Sequence, residues 1–290
     1  MINYPHLAQR LFNTPLAILP SKGEMVMAAL ADRFGIAKLF RADGQMVVMA
    51  DALTGEFSEG RDTPNGYDVV AGVAIIPVMG TLVAKLGTLR PYSGMTGYDG
   101  LRANISMALE DSSVKGIVLD IDSPGGEVAG CFDLVDAIYA SRGRKPIWAI
   151  LSESAYSAAY ALASACDRIV VPRTGGTGSV GVICMAVEFS KALDAAGIVV
   201  TIFQYGARKA DGNEVTPLPP EARARFQGDV DTMGELFVDT VARNRKLAAS
   251  KVRGTQATTF LGAGGVEIGF ADAVMAPDEA FRSLLSKLGS

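Results

Sequence analysis

The chain reads as an α/β protein built on a mostly parallel sheet, and three observations carry that reading. Its core-forming residues are aliphatic, because 49% of the 290 residues are hydrophobic while only 7% are aromatic. Short apolar runs of strand length alternate with segments whose apolar residues recur at helical spacing. Repeated strand-then-helix units imply parallel strands with right-handed crossovers and helices on the sheet faces.

Residues 1–57 form a mixed segment with one amphipathic helix expected over 22–34, where Met25, Met27, Ala28, Leu30, Ala31 and Phe34 recur at roughly helical spacing and Gly35 ends the run. The stretch 58–66 is rich in turn formers and charge and reads as an exposed linker. The chain therefore divides into an N-terminal appendage with linker, 1–66, and one main domain, 67–290. Residues 73–78 form the first strand of that domain, with Pro77 placing it at an edge or a bend. A helix follows over 98–110, with Leu101, Ile105, Ala108 and Leu109 aligned. The run 117–121 is a buried type of strand, and 128–140 a helix with Phe132, Val135, Ile138 and Tyr139 inward. Strands are expected at 147–151, 169–171 and 198–203, an alanine-rich helix at 157–164, and one long amphipathic helix over 221–247. The run 182–187 fits strand or helix equally by pattern. No internal repeat is evident.

Composition narrows the function. A net charge of −4 supplies no basic face, which argues against a nucleic-acid partner. Cys131, Cys166 and Cys184 are scattered, with no CxxC pair and no His-Cys cluster. Neither a zinc site nor a disulfide framework is expected, and the thiols read as small buried hydrophobes of a reducing compartment. No run of ~18 apolar residues exists, so no membrane helix is expected. The N-terminus lacks the pattern of a secretory signal, which leads to the expectation of a soluble, cytoplasmic protein.

Three segments that follow predicted strands carry the chemistry, because ligands of open α/β sheets bind beyond the carboxyl ends of strands. The first is Asp122-Ser-Pro-Gly-Gly126, where two glycines let backbone N–H groups face a ligand. An ordinary strand-to-helix turn would use the same residues. The second is Ser152-Glu-Ser-Ala-Tyr-Ser157, which sets Ser157 at a helix N-terminus, where developing negative charge is favoured. Serine also serves simply as an N-cap, and Ser154 could fill that place too. The third is Tyr205-Gly-Ala-Arg-Lys209; most loop lysines are merely solvated. The chain has one histidine, His6, far along the sequence from all three. Lysine is then the remaining side chain that can deprotonate a serine, provided burial lowers its pKa. The run Gly176-Thr-Gly-Ser-Val-Gly181 fits a GxGxxG pattern, but the β-branched residues after it do not start a helix, so nucleotide binding is not expected.

Six elements in order give a family resemblance over residues ~70–276: Asp122-Ser-Pro-Gly-Gly126, Ala155-Tyr-Ser-Ala-Ala-Tyr160, Ala165-Cys-Asp-Arg-Ile169, Thr177-Gly-Ser-Val-Gly-Val182, Gly206-Ala-Arg-Lys209 and Gly265-Val-Glu-Ile-Gly-Phe-Ala-Asp272. On these the chain resembles the signal peptide peptidase A/phage capsid protease family of serine peptidases, peptidase family forty-nine. The resemblance implies a Clp protease/crotonase-like fold, a repeated β-β-α superhelix with a mostly parallel sheet. It implies Ser157 as nucleophile, Lys209 as general base, Ser179 against the lysine amine, and an oxyanion hole from Gly125, Gly126 and Ala158. Many members carry Ser-Gly-Gly at the nucleophile; Ser157-Ala-Ala departs from that and bears on the shape of the substrate pocket. The opening 7–22 is similar to that of phage and prophage head-maturation proteases. That branch implies capsid, scaffold or portal precursors as substrates, a ring-like homo-oligomer, action inside proheads, and no metal or organic cofactor. The competing readings are a host protease that degrades leftover signal peptides, a crotonase-like acyl-CoA enzyme, and a non-catalytic assembly scaffold.

Overall fold

A computed structural model describes residues 14–20, 22 and 65–289. The helix expected at 22–34, apart from Lys22, most of the linker, and His6 lie outside the described residues. The remainder is α/β, as the alternation of runs implies. Its main sheet has eight strands: β1 (Leu16–Ile18), β2 (Asp68–Val70), β3 (Val73–Val83), β4 (Met95–Gly97), β5 (Gly116–Glu127), β6 (Ile147–Ala155), β7 (Arg168–Val171) and β10 (Ala273–Val274). The central order is β10-β7-β6-β5-β3-β2, with β1 on β5 and β4 on β3. Pairings β10–β7, β7–β6, β6–β5, β5–β3 and β3–β4 are parallel; only β2–β3 and β1–β5 run antiparallel. A separate antiparallel pair joins β8 (Gly176–Gly178) to β9 (Thr259–Leu261).

The period-two rule of a strand explains how one run feeds two cores. In β5, Ile117, Leu119 and Ile121 enter the larger cluster, while Val118 between them enters the smaller one. The larger cluster is roofed by helices α1 (Tyr98–Glu110), α2 (Cys131–Ala140), α3 (Ala158–Ser164) and α5 (Pro220–Arg245). On the opposite face Val73, Val118, Trp148, Ile150 and Val170 pack against Ala280 and Leu284 of α8 (Pro277–Leu288). Strands buried on both faces are uniformly apolar, which is why 117–121 and 147–151 are legible as runs rather than alternations. Pro77 sits where neither β2 nor β4 reaches, so the edge of β3 opposite β5 is locally open there.

Several boundaries differ from expectation, with physical causes. Strands β5 and β6 run on to Glu127 and Ala155, so the first candidate loop and most of the second are strand. Their polar ends are held by pairing with β3, β1 and each other. Helix α2 begins at Cys131 rather than 128, because Gly130 takes a left-handed turn at φ 79° just before it. The run 182–187 is neither strand nor helix; its Ile183 makes one isolated bridge, to Leu16. The run 198–203 is not a strand either. It is extended in composition but has no neighbouring edge among the described residues, and Val199 and Phe203 are 89% and 93% exposed. Gly176 and Gly178 belong to β8, paired with the sequence-distant β9, and the run 176–181 starts no helix.

Between β7 and β8 and the short helices α4 (Ser190–Ala195), α6 (Ala249–Gly254) and α7 (Gly262–Ile268), the chain returns to the sheet edge through Asp272. Asp272 accepts from Ile169 N–H at 2.7 Å and forms a two-pronged pair with Arg245, at 3.1 and 2.7 Å. The C-terminal end of α3 is fastened by Asn244, whose Nδ2 donates to Ser164 Oγ at 3.0 Å, and above all by Arg142. Arg142 donates to the carbonyls of Ala165 at 2.7 Å, Ser164 at 3.0 Å and Cys166 at 2.6 Å. Arg142→Ala leaves those carbonyls unserved, and a loss of about 2–3 kcal/mol is expected from charged hydrogen bonds removed at a buried helix end. Urea titration checks this; a loss below ~0.5 kcal/mol shows that water replaces the guanidinium.

Candidate active site

Ser157 stands at the corner where β6 turns into α3, with φ 53° and ψ −120°. A non-glycine residue in that region is strained, and such strain persists where surrounding structure imposes it. Here Ser157 N–H donates to Gly178 O at 2.8 Å, and Ala161 N–H returns to Ser157 O at 2.9 Å. The side chain makes no N-cap bond, so the capping role does not explain the serine. Its hydroxyl lies 3.4 Å from Gly181 O, a long contact, and the residue is 1% exposed. Ser154, the alternative cap, is in strand β6 and accepts from Gly176 N–H. The nearby Cys131 is no rival nucleophile, since full burial pushes its thiol up to about 12.

The end of β5 passes beside Ser157. Gly125 has φ +100°, and a side-chain carbon on it would stand 3.0 Å from Ser157 Cβ. Its N–H donates to Ser123 Oγ at 3.1 Å. Gly126 has no room for a side chain: a Cβ there would meet Leu82 O at 1.9 Å. Ala158 is the first residue of α3, so its N–H is one that a helix start leaves without an intrahelical acceptor. Thus Gly125, next to Gly126 at the end of β5, reaches the corner that Ser157 and Ala158 form where β6 turns into α3.

Ser179 is buried close by in sequence and fold, at φ 55°, with its N–H donating to Thr258 O at 3.1 Å. Lys209 is placed differently. It lies on an exposed turn, its N–H donating to Gly206 O at 3.0 Å, and no hydrogen bond joins it to Ser157 or Ser179. The turn is nevertheless built. Gln204 bridges it through Ala207 O and Ala210 N–H, both at 3.1 Å, and an ion pair ties Asp211 to Arg225 of α5. A cavity of about 330 Å³ lies next to this region, lined by Cys184, Glu188, Asn213, Arg223 and Phe226 among others, and Ser157 is not in its wall. Among the described residues, no cluster of His, Cys, Asp and Glu has the makings of a metal site, and no helix is long and apolar enough to cross a membrane.

One neighbour of the candidate site is not legible in the sequence. Strand β1, a three-residue apolar run between Pro15 and Pro20, lies along the glycines: Ile18 opposite Gly125, Ala17 opposite Gly126, Leu16 opposite Glu127. Its other edge is taken by Ile183, which exchanges two bonds with Leu16, at 2.8 and 2.9 Å.

Residues 140–289 match Peptidase family S49. The chain is 40% identical to the head-tail preconnector protein GP5 of Enterobacteria phage P21, over 99% of this chain and 58% of that protein. It is 37% identical to capsid assembly protease C of Escherichia phage lambda, over 96% of this chain and 64% of that one. The chain thus spans about three fifths of the length of these two relatives. An enoyl-CoA hydratase/isomerase family member of known structure aligns with TM-score 0.44 and 14% identity, over 77% of this chain and 75% of that one.

Proposed function

The chain belongs to peptidase family S49, and on that premise we propose that it is a serine endopeptidase of phage or prophage head maturation, acting through Ser157 and Lys209. The observation that carries the reading is the strained corner at Ser157. A serine held at φ 53° between strand and helix, with its hydroxyl barely engaged, has the setting of an activated nucleophile rather than of a cap.

In this reading neutral Lys209 takes the Ser157 proton as Oγ attacks the peptide carbonyl. The N–H groups of Gly126 and Ala158 receive the oxyanion, while Gly125 makes the turn that brings Gly126 into place. The leaving amine takes the proton back, and water attacks the acyl-enzyme with Lys209 again as base. Ser179 orients the lysine amine.

Lys209 is exposed on its own protomer, which supports a base supplied by a neighbouring copy. The same stretch of chain supports this. Val199, Phe203 and Tyr205 are almost wholly exposed just ahead of Lys209, a patch that a subunit contact would bury. A closed ring repeats one heterologous contact, so each copy would offer Ser157 on one side and Lys209 on the other. The substrates in this reading are capsid, scaffold or portal precursors; the similarity to a capsid assembly protease and a head-tail preconnector protein supports it. Coexpression with the capsid genes of the same phage or prophage tests this. Mass spectrometry should find those proteins shortened with the wild-type chain and full length with Ser157→Ala; identical masses in both would remove the capsid role.

A further inference from the structure

A polypeptide already lies across Ser157, and it is the protein's own. Strand β1 is inserted between two edges: on one side Gly125–Glu127 of β5, on the other Ile183. Leu19 N–H donates to Pro124 O at 3.0 Å, and Val128 N–H to Pro15 O at 3.4 Å. In an antiparallel ladder these two bonds bracket Ala17 and Gly126 as the pair that exchanges N–H and C=O. The Ala17 carbonyl is therefore directed at Gly126 N–H, the donor assigned above to the oxyanion. The distance to the nucleophile agrees. Ala17 O and Ser157 Cβ stand 2.2 and 3.0 Å from one point, the place of a side-chain carbon at Gly125, and so at most 5.2 Å apart. Leu16, Ala17 and Ile18 are all buried, and Ser157 is closed off with them in place.

We propose that residues 15–19 occupy the enzyme's substrate groove as a built-in competitor, so that a substrate polypeptide must displace them to reach Ser157. The inference rests on the serine-peptidase reading. Strand addition is a general way of holding an extended peptide, with main-chain bonds giving affinity and alternate side chains giving selectivity. Gly126 N–H and the Ile183 edge can serve only one strand at a time, which makes occupation by β1 and by substrate mutually exclusive. The occupant also shows what the groove accepts. The residue whose carbonyl meets Gly126 is alanine, fully buried beside a glycine that has no side chain. Its neighbours, Leu16 and Ile18, turn to the opposite side of the strand.

The test follows the rate at which a fluorophosphonate labels Ser157 in the full chain. Leu16→Pro removes the N–H that bonds Ile183 O, and Leu19→Pro removes the one that bonds Pro124 O while leaving the three buried side chains intact. Each variant should be labelled at least about fivefold faster than wild type, the scale of one lost peptide hydrogen bond. Adding the free peptide Thr-Pro-Leu-Ala-Ile-Leu-Pro, the sequence of residues 14–20, should slow labelling of both variants again. Equal rates in wild type and both variants, with Ser157 labelled in all, overturn the competitor and leave the peptidase standing. No label on Ser157 in any of the folded chains overturns the peptidase reading and the competitor with it.

Discussion

Ser157→Ala and Lys209→Ala are each expected to abolish peptide-bond cleavage while leaving the melting temperature within a degree or two of wild type. In the proposed dyad nucleophile and base act as one unit, so the double variant should be hardly worse than either single one. Stability is spared for different reasons at the two positions. At Ser157 the hydroxyl makes one long contact, and alanine fits the same backbone with the same strain. Lys209 is exposed and unbonded through its side chain, where substitutions stay within about 0.5 kcal/mol. Turnover of a capsid precursor, followed by gel or mass, reads the outcome. Wild-type turnover by Lys209→Ala would show that another group takes the proton.

Gly126→Ala should be nearly as damaging, through the backbone. The added methyl would stand 1.9 Å from Leu82 O, 2.5 Å from its carbonyl carbon and 2.6 Å from its nitrogen. All three are main-chain atoms of β3, and no flexible side chain can swing aside. Strands β3 and β5 must part, at a cost of about 1–3 kcal/mol or more for overpacking, and the Gly126 N–H moves off the position proposed for the oxyanion. We expect a lower melting temperature together with activity reduced at least a hundredfold, the usual effect of losing one oxyanion donor. Gly228→Ala is the control. It lies inside α5, with nothing within 4 Å of an added Cβ, and should raise stability by roughly 0.5–1 kcal/mol. If both variants melt like wild type, the β3–β5 contact is looser than these distances imply.

The strands at 117–121 and 147–151 are legible because central parallel strands are apolar on both faces, and the helix at 98–110 because its apolar residues keep one stripe. Strand ends are not. Asp122 to Glu127 and Ser152 to Ala155 carry the residues of loops, and only pairing with strands far along the chain keeps them extended. The run 198–203 shows the opposite failure: its β-branched residues read as a strand, yet no edge among the described residues receives it. At the candidate site, the Gly-Gly pair and a serine before an alanine-rich helix are the features that single out Gly126, Ser157 and Ala158 as candidates. The position of β1 is silent in sequence, since its register is set by residues more than a hundred positions away.

If Lys209 of one copy serves Ser157 of the next, as proposed, two dead chains must complement each other when mixed. Ser157→Ala and Lys209→Ala chains, combined in equal amounts and allowed to co-assemble, should regain roughly a quarter of wild-type sites by random neighbour pairing in a ring. Native mass spectrometry establishes that mixed oligomers have formed. Activity near a quarter of wild type in those oligomers is the predicted result; activity at background in the same oligomers contradicts it.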